Sequence, residues 1–337
     1  MRAREVILSA YRELCNAGSE SAMLDSQLLL AYALRDSGFR VQGSGGCGAA
    51  KADGQWPPLR FDKNFVILNP DFEVGEEEYE RFCELLEQRR KREPLQYILG
   101  ECEFYGLEFY VDESVLIPRG ETEVLVEAVV DRTNNEQRTT NNCGELAPPI
   151  SILEIGVGSG AISVALGKHL PNARITAIDI SGEALEVARR NAEGNGVGNI
   201  EFVRADIFGW DGVVGATVPV ARGTPRASSP TKWDIIVSNP PYIEREVCEG
   251  LQPEVARFEP RAALDGGADG LDFYRRIAEF SAEHLSEDGF VALEIGQGQE
   301  NQIEGIFNES GFVLREKIRD LAGINRVLIF EKNINEE

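Results

Sequence analysis

Leu153-Glu154-Ile155-Gly156-Val157-Gly158-Ser159-Gly160-Ala161-Ile162 carries an apolar strand into a helix through three glycines at alternate positions. Glycine there lets the chain turn sharply and lets a ligand approach the main chain. The order is G-x-G-x-G, not the G-x-G-x-x-G of a dinucleotide site, and no G-K-[ST] follows as in a P-loop. Outward from this turn, strands at 150–155, 174–179, 200–203, 233–237 and 289–295 alternate with helices at 161–170, 181–193 and 270–285. Alternation of this kind predicts an α/β fold with a parallel sheet. Two further strands, near 312–317 and 326–331, are joined by a connection too short for a helical crossover, so they are expected to pair antiparallel.

Ligands of such sheets bind outside the carboxyl ends of the strands. Asp179 ends the second strand, 23 residues after Gly156, where a carboxylate can take both hydroxyls of a ribose. The third strand leads to Asp206 and Ile207, an acid and an apolar side chain suited to an adenine edge and face. After the fourth strand comes Ser238-Asn239-Pro240-Pro241-Tyr242. Two prolines end the ladder and stiffen the backbone, which leaves Asn239 projecting from the strand tip. The Asn239 side-chain oxygen and the Pro240 carbonyl form a pair of acceptors for the two N–H groups of a planar, conjugated nitrogen. Tyr242 follows as an aromatic platform. Such a nitrogen is a weak nucleophile, and two acceptors aim its lone pair and stabilise the charge it gains on alkylation.

The chain has 34 Lys plus Arg against 57 Asp plus Glu, a formal charge of −23. That excess disfavours a phosphate backbone as partner. No apolar run approaches the roughly 18 residues of a membrane span, and the amino-terminal segment lacks a signal-peptide core. The six cysteines form no C-x-x-C pair, and with two histidines a metal site is not expected. These features predict a cytoplasmic protein that binds neither membrane nor nucleic acid directly.

Residues 1–92 read as helices, at 5–15, 22–34 and 76–92. The second has an apolar face of Leu24, Leu28, Ala31 and Leu34, and the third runs from acidic to basic along its dipole. A connecting segment, 93–131, holds a hairpin or short strands within 96–117 and a helix at 121–131. Residues 132–149, rich in Thr, Asn and Pro, read as a linker to the catalytic domain at 150–332. Gly-rich insertions at 38–54 and 212–231 are expected on the surface.

The glycine spacing resembles motif I of the S-adenosylmethionine-dependent methyltransferases. N-P-P-Y resembles enzymes that methylate adenine N6, cytosine N4 or a glutamine amide. Arg92-Glu93-Pro94-Leu95-Gln96-Tyr97-Ile98-Leu99-Gly100, Phe104-Tyr105-Gly106 and Val115-Leu116-Ile117-Pro118-Arg119-Gly120-Glu121-Thr122-Glu123 resemble the release-factor glutamine methyltransferases. So do Arg257-Phe258-Glu259-Pro260 and Asp320-Leu321-Ala322-Gly323 with Arg326. This resemblance spans about residues 92–332. It implies a Rossmann-like, seven-stranded methyltransferase sheet behind a small helical domain that recognises substrate. It also implies S-adenosylmethionine as cofactor and, as protein substrate, the Gly-Gly-Gln glutamine of a class-1 peptide chain release factor.

By position, the resemblance assigns Gly156, Val157, Gly158, Ser159 and Gly160 to the methionine part of the cofactor, with Glu154 counted among the cofactor-binding residues. Asp179 would take the ribose, and Asp206 and Ile207 the adenine. Asn239, Pro240, Pro241 and Tyr242 would hold the glutamine, with Asn239 also bordering the cofactor. Two residues depart from the family pattern: Gly120 replaces a proline, and Ile207 replaces a frequent tryptophan. The ribosomal-protein glutamine methyltransferases are the nearest alternative. DNA adenine-N6 methyltransferases are more distant, since a flipped base calls for a basic surface this chain lacks. A cofactor-binding interaction protein without turnover is the other alternative, and the intact N-P-P-Y argues against it.

Overall fold

The computed structural model describes residues 1–35, 63–140, 149–212 and 232–333. The expected loop at 38–54, the insertion from 213 to 231, Cys47 and Cys143 lie outside these residues. The chain divides into two compact units, Met1–Gly100 and Glu101–Glu337.

The first unit comprises α1 (Ala3–Asn16), α2 (Ala22–Arg35), α3 (Lys63–Leu68), α4 (Glu76–Arg90) and α5 (Leu95–Leu99). Ala3, Val6, Ile7, Ala10 and Leu14 form the buried stripe of α1 at helical spacing. The stripe of α2 keeps Ala31 and Leu34 of the expected face, both buried, but is broadened and rotated away from Leu24. Leu24 is 43% exposed, whereas Ala22, Asp25, Ser26, Leu29, Leu30 and Ala33 point inward. Polar partners account for this rotation. Arg89 Nε reaches Asp25 Oδ2 at 2.8 Å, and the hydroxyls of Ser19 and Ser21 each donate to Asp25 at 2.8 Å. A buried carboxylate with three such donors is compensated, and removing Arg89 would leave its charge unpaired. Arg89 is therefore inside the unit, not on the solvated basic end that the charge pattern of α4 suggests. That helix stops at Arg90 rather than residue 92, because Arg92 adopts φ +71°. Residues 95–99 are helical where alternation suggested strand, with Pro94 at the start and left-handed Gly100 at the end.

The second unit opens on a hairpin, β1 (Glu101–Phe104) and β2 (Leu107–Tyr110), turned by Tyr105 and Gly106, both at positive φ. The helix α6 (Thr122–Thr140) continues nine residues past the expected end at 131. Arg132 pairs with Glu316 and Glu331, so partners outside the helix offset the weak propensity of this segment, and within the helix Thr133 returns its hydroxyl to the Val129 carbonyl.

Then come β3 (Ser151–Ile155), α7 (Ala161–His169), β4 (Arg174–Asp179), α8 (Gly182–Gly194), β5 (Ile200–Arg204), β6 (Trp233–Ser238), α9 (Pro253–Phe258), α10 (Asp272–His284), β7 (Leu285–Glu294), α11 (Glu300–Glu309), β8 (Phe312–Arg319) and β9 (Asn325–Lys332). They build one seven-stranded sheet in the order β5-β4-β3-β6-β7-β9-β8, in which β9 is the strand antiparallel to its neighbours. Each strand alternates between two cores: Ile152, Ile175, Ala177, Ile235 and Val237 face one, and Leu153, Ile178, Ile236, Val291 and Leu293 the other. Both faces are covered, which is why these strands read as unbroken apolar runs. The order reverses between β3 and β6, and that reversal opens a crevice at their carboxyl ends.

Candidate active site

A cavity of about 590 Å³ fills this crevice. Its floor is the glycine turn. Gly156, Gly158 and Gly160 take φ of +79°, +53° and +81°, a region that L side chains avoid. The three serve different ends. A Cβ on Gly156 or Gly158 would meet nothing within 4 Å, so their backbone is bare toward the cavity. A Cβ on Gly160 would come within 3.0 Å of the Ala188 Cβ, so this glycine lets α7 pack on α8.

Asp179 reaches the wall and also ties the floor together. Its Oδ2 accepts the Gly158 N–H, and its Oδ1 the Ser181 N–H, each at 2.9 Å. Asp206 lies on the wall and caps its own turn through the Phe208 N–H at 3.0 Å. Ile207, with exposed Ile180 and Phe208, adds an apolar flank.

The opposite wall carries Asn239, Pro240 and Pro241 at the tip of β6. Asn239 Nδ2 donates to Thr122 Oγ1 at 3.1 Å, which leaves Oδ1 as its uncommitted acceptor. Thr122 begins α6 and follows the Pro118-Arg119-Gly120-Glu121 run. Within that run, Arg119 pairs at 2.5 Å with Glu259, a carboxylate buried to 1% exposure. Burial pushes the Glu259 carboxyl up, and Arg119 opposes the shift. Two sequence motifs 140 residues apart thus meet through one ion pair at the cavity. Arg245 and Arg261 share Asp265 on the same wall, at 3.1 and 3.7 Å.

Ten of the expected site residues border this cavity: Gly156, Val157, Gly158, Ser159, Asp179, Asp206, Ile207, Asn239, Pro240 and Pro241. Glu154, Gly160 and Tyr242 do not. Tyr242 turns into the core beneath the wall, against Gly296, instead of forming a platform on it. Burial pushes its phenol up to about 12, so it stays neutral. Glu154 is fully buried within β3, and neither carboxylate oxygen has a hydrogen-bond partner among the described residues. Burial pushes it up to about 8, against the opposing influence of nearby Ser163. Sequence reasoning gave no individual role to Arg119, Thr122, Glu259 or Glu294. The available signal for Glu294 was an acid ending the apolar strand beside the one that carries Asn239.

Residues 152–217 match a family described as "Methyltransferase domain", and residues 59–100 match the "PrmC N-terminal domain". The release factor glutamine methyltransferase of Thermodesulfovibrio yellowstonii is 39% identical over 279 residues, 82% of this chain and 89% of that protein. The one from Clostridium acetobutylicum is 32% identical over 332 residues, 98% of each. A solved structure described as ribosomal protein L11 methylase from Lactobacillus delbrueckii subsp. bulgaricus is 22% identical. It covers 66% of this chain and 83% of that one at a TM-score of 0.41, too distant to bear on substrate. Identity and coverage at the level of the two release-factor enzymes place the chain in the release factor glutamine methyltransferase family, as a methyltransferase enzyme.

Proposed function

We propose that the protein transfers a methyl group from S-adenosylmethionine to the side-chain amide nitrogen of the Gly-Gly-Gln glutamine in a class-1 peptide chain release factor. The observation that carries this reading is Asn239. Its amide nitrogen is tied to Thr122, so its oxygen is free to accept from a substrate N–H at the cavity wall.

The residues present suit the cofactor. The bare backbone of Gly156 and Gly158 admits close approach of its methionine part, and Asp179 offers a second lone pair on each oxygen to a ribose. Ile180, Ile207 and Phe208 supply an apolar flank for adenine, and the volume is that of an ordinary small-molecule site. When bound, the cofactor supplies a sulfonium methyl: the N–C bond forms as the S–C bond breaks, the bonding pair stays on sulfur, and nitrogen releases a proton to water.

The protein's part is to orient and to stabilise. Asn239 Oδ1 and the Pro240 carbonyl accept the two N–H groups of the glutamine amide, turn its lone pair away from conjugation, and stabilise charge gathering on nitrogen. Pro240 and Pro241 remove two backbone N–H donors that would compete for those acceptors. The helical first unit is assigned to recognition of the release factor.

Methyl-labelled cofactor offered in parallel to a release factor, a ribosomal protein and duplex DNA tests this reading. Label is expected in the release factor alone, and label in the DNA or the ribosomal protein instead would overturn it.

A further inference from the structure

Two buried groups lie behind Asn239: Thr122, which ties its amide nitrogen, and Glu294, which has no part in the mechanism so far. Ser238 of β6 pairs with Leu293 of β7, so Asn239 and Glu294 are the next residues on adjacent strands. Glu294 is 2% exposed, and its Oε2 has no hydrogen-bond partner among the described residues. The Thr122 hydroxyl and the Asn239 amide both favour its charged form. Thr122, itself 4% exposed, accepts from Asn239 Nδ2.

With Glu294 ionised, the polarity of this chain follows from counting donors. An ionised carboxylate only accepts, so a Thr122 hydroxyl turned toward Glu294 has no second proton to give. Its oxygen can then only accept, and the Asn239 atom facing it has to be the NH2. The amide is thereby held with Oδ1 outward. Reversed, Asn239 would present donors to a substrate amide that itself offers donors. We propose that Glu294 is a positioning residue of the methyl transfer: through Thr122 it fixes which end of the Asn239 amide faces the substrate.

This rests on the glutamine-amide reading only for the substrate's identity; the lock is a property of the protein alone. Burial pushes Glu294 up to about 7. The groups facing it are Arg326 of β9, which favours the charged form and is paired with Asp320, and Glu121 before α6, which disfavours it. Tyr242 after β6 and Tyr274 of α10 face it as phenols pushed upward by burial. A protonated Glu294 can donate to Thr122, which frees the hydroxyl proton to turn toward Asn239 and releases the amide.

The test uses the full chain and two readouts. In Glu294→Gln, kcat is expected to fall about tenfold or more, with the KM for release factor and the Kd for cofactor nearly unchanged. The acid limb of kcat near neutrality should vanish. Thr122→Val should reproduce the loss, and Thr122→Ser, which keeps the hydroxyl, should restore most of the rate.

The second readout needs no substrate. With asparagine side chains labelled with 15N, the Asn239 NH2 signals, identified by their absence in Asn239→Asp, should shift with pH near neutrality in the wild type. In Glu294→Gln they should not. A wild type that leaves release factors unmethylated would sink the substrate assignment, while the resonances still decide the lock. A Glu294→Gln protein whose kcat and acid limb match the wild type, or whose Asn239 signals still titrate, would overturn the proposal.

Discussion

Asn239 is the residue on which the chemistry turns. Asn239→Ala removes one of two acceptors for the substrate nitrogen, and kcat is expected to drop by about 10²-fold or more, with cofactor affinity held within about twofold. Single-turnover transfer beside equilibrium cofactor binding would measure both, and a rate within a few-fold of wild type would remove Asn239 from the mechanism. Glu154 makes a different prediction. Its carboxyl is raised in the folded state, so between the unfolded value and about 8 the native protein holds the extra proton. Stability linked to this group is therefore present at low pH and lost as pH rises through that window. Glu154→Gln should melt above the wild type at pH 8, and the gap should close toward pH 5. A gap that stays constant with pH would mean that Glu154 is not the group responsible.

Elements explain why some glycines can change and others cannot. Gly160→Ala forces a Cβ onto Ala188 at positive φ, and α7 should separate from α8 at a cost of about 1–3 kcal/mol. Gly120 lies outside the left-handed region, and a Cβ there meets nothing within 4 Å. Gly120→Ala should instead gain about 0.4–1 kcal/mol by restricting the unfolded chain. Denaturant melts of the two variants should move in opposite directions, and a destabilised Gly120→Ala would show that the turn needs glycine. The positions of the parallel strands along the chain could be read in advance because their apolar runs and glycine turn are local. The longer α6 could not, since Arg132 finds its partners at Glu316 and Glu331, far along the chain. Nor could the rotated face of α2, which depends on Arg89 reaching Asp25 from 64 residues away. At the site, the glycines and Asn239 were legible because strand tips bind ligands. Thr122 and Glu294 acquire their role only once β6, β7 and the start of α6 converge.

For the molecule as a whole, the charge of −23 bears on partner choice rather than on the chemical step. If acidic surface steers a partner through basic patches, kcat/KM for the release factor should fall as ionic strength rises while kcat holds. A salt-independent kcat/KM would confine the charge to a role in solubility. The first unit has its own core, built around Leu14, Leu29, Leu30 and Phe82, apart from the two cores that flank the sheet. Deleting residues 1–100 should therefore spare cofactor affinity and cost release-factor recognition, and equal loss of both would argue against a separate recognition unit. No helix among the described residues is long and apolar enough to cross a membrane. The most direct test is fragment mass spectrometry of a class-1 release factor after incubation with the protein and S-adenosylmethionine. A single methyl on the side-chain amide of the Gly-Gly-Gln glutamine is predicted, absent when Asn239→Ala replaces the wild type. A methyl on any other atom, or an unmodified glutamine after complete cofactor turnover, would contradict the account.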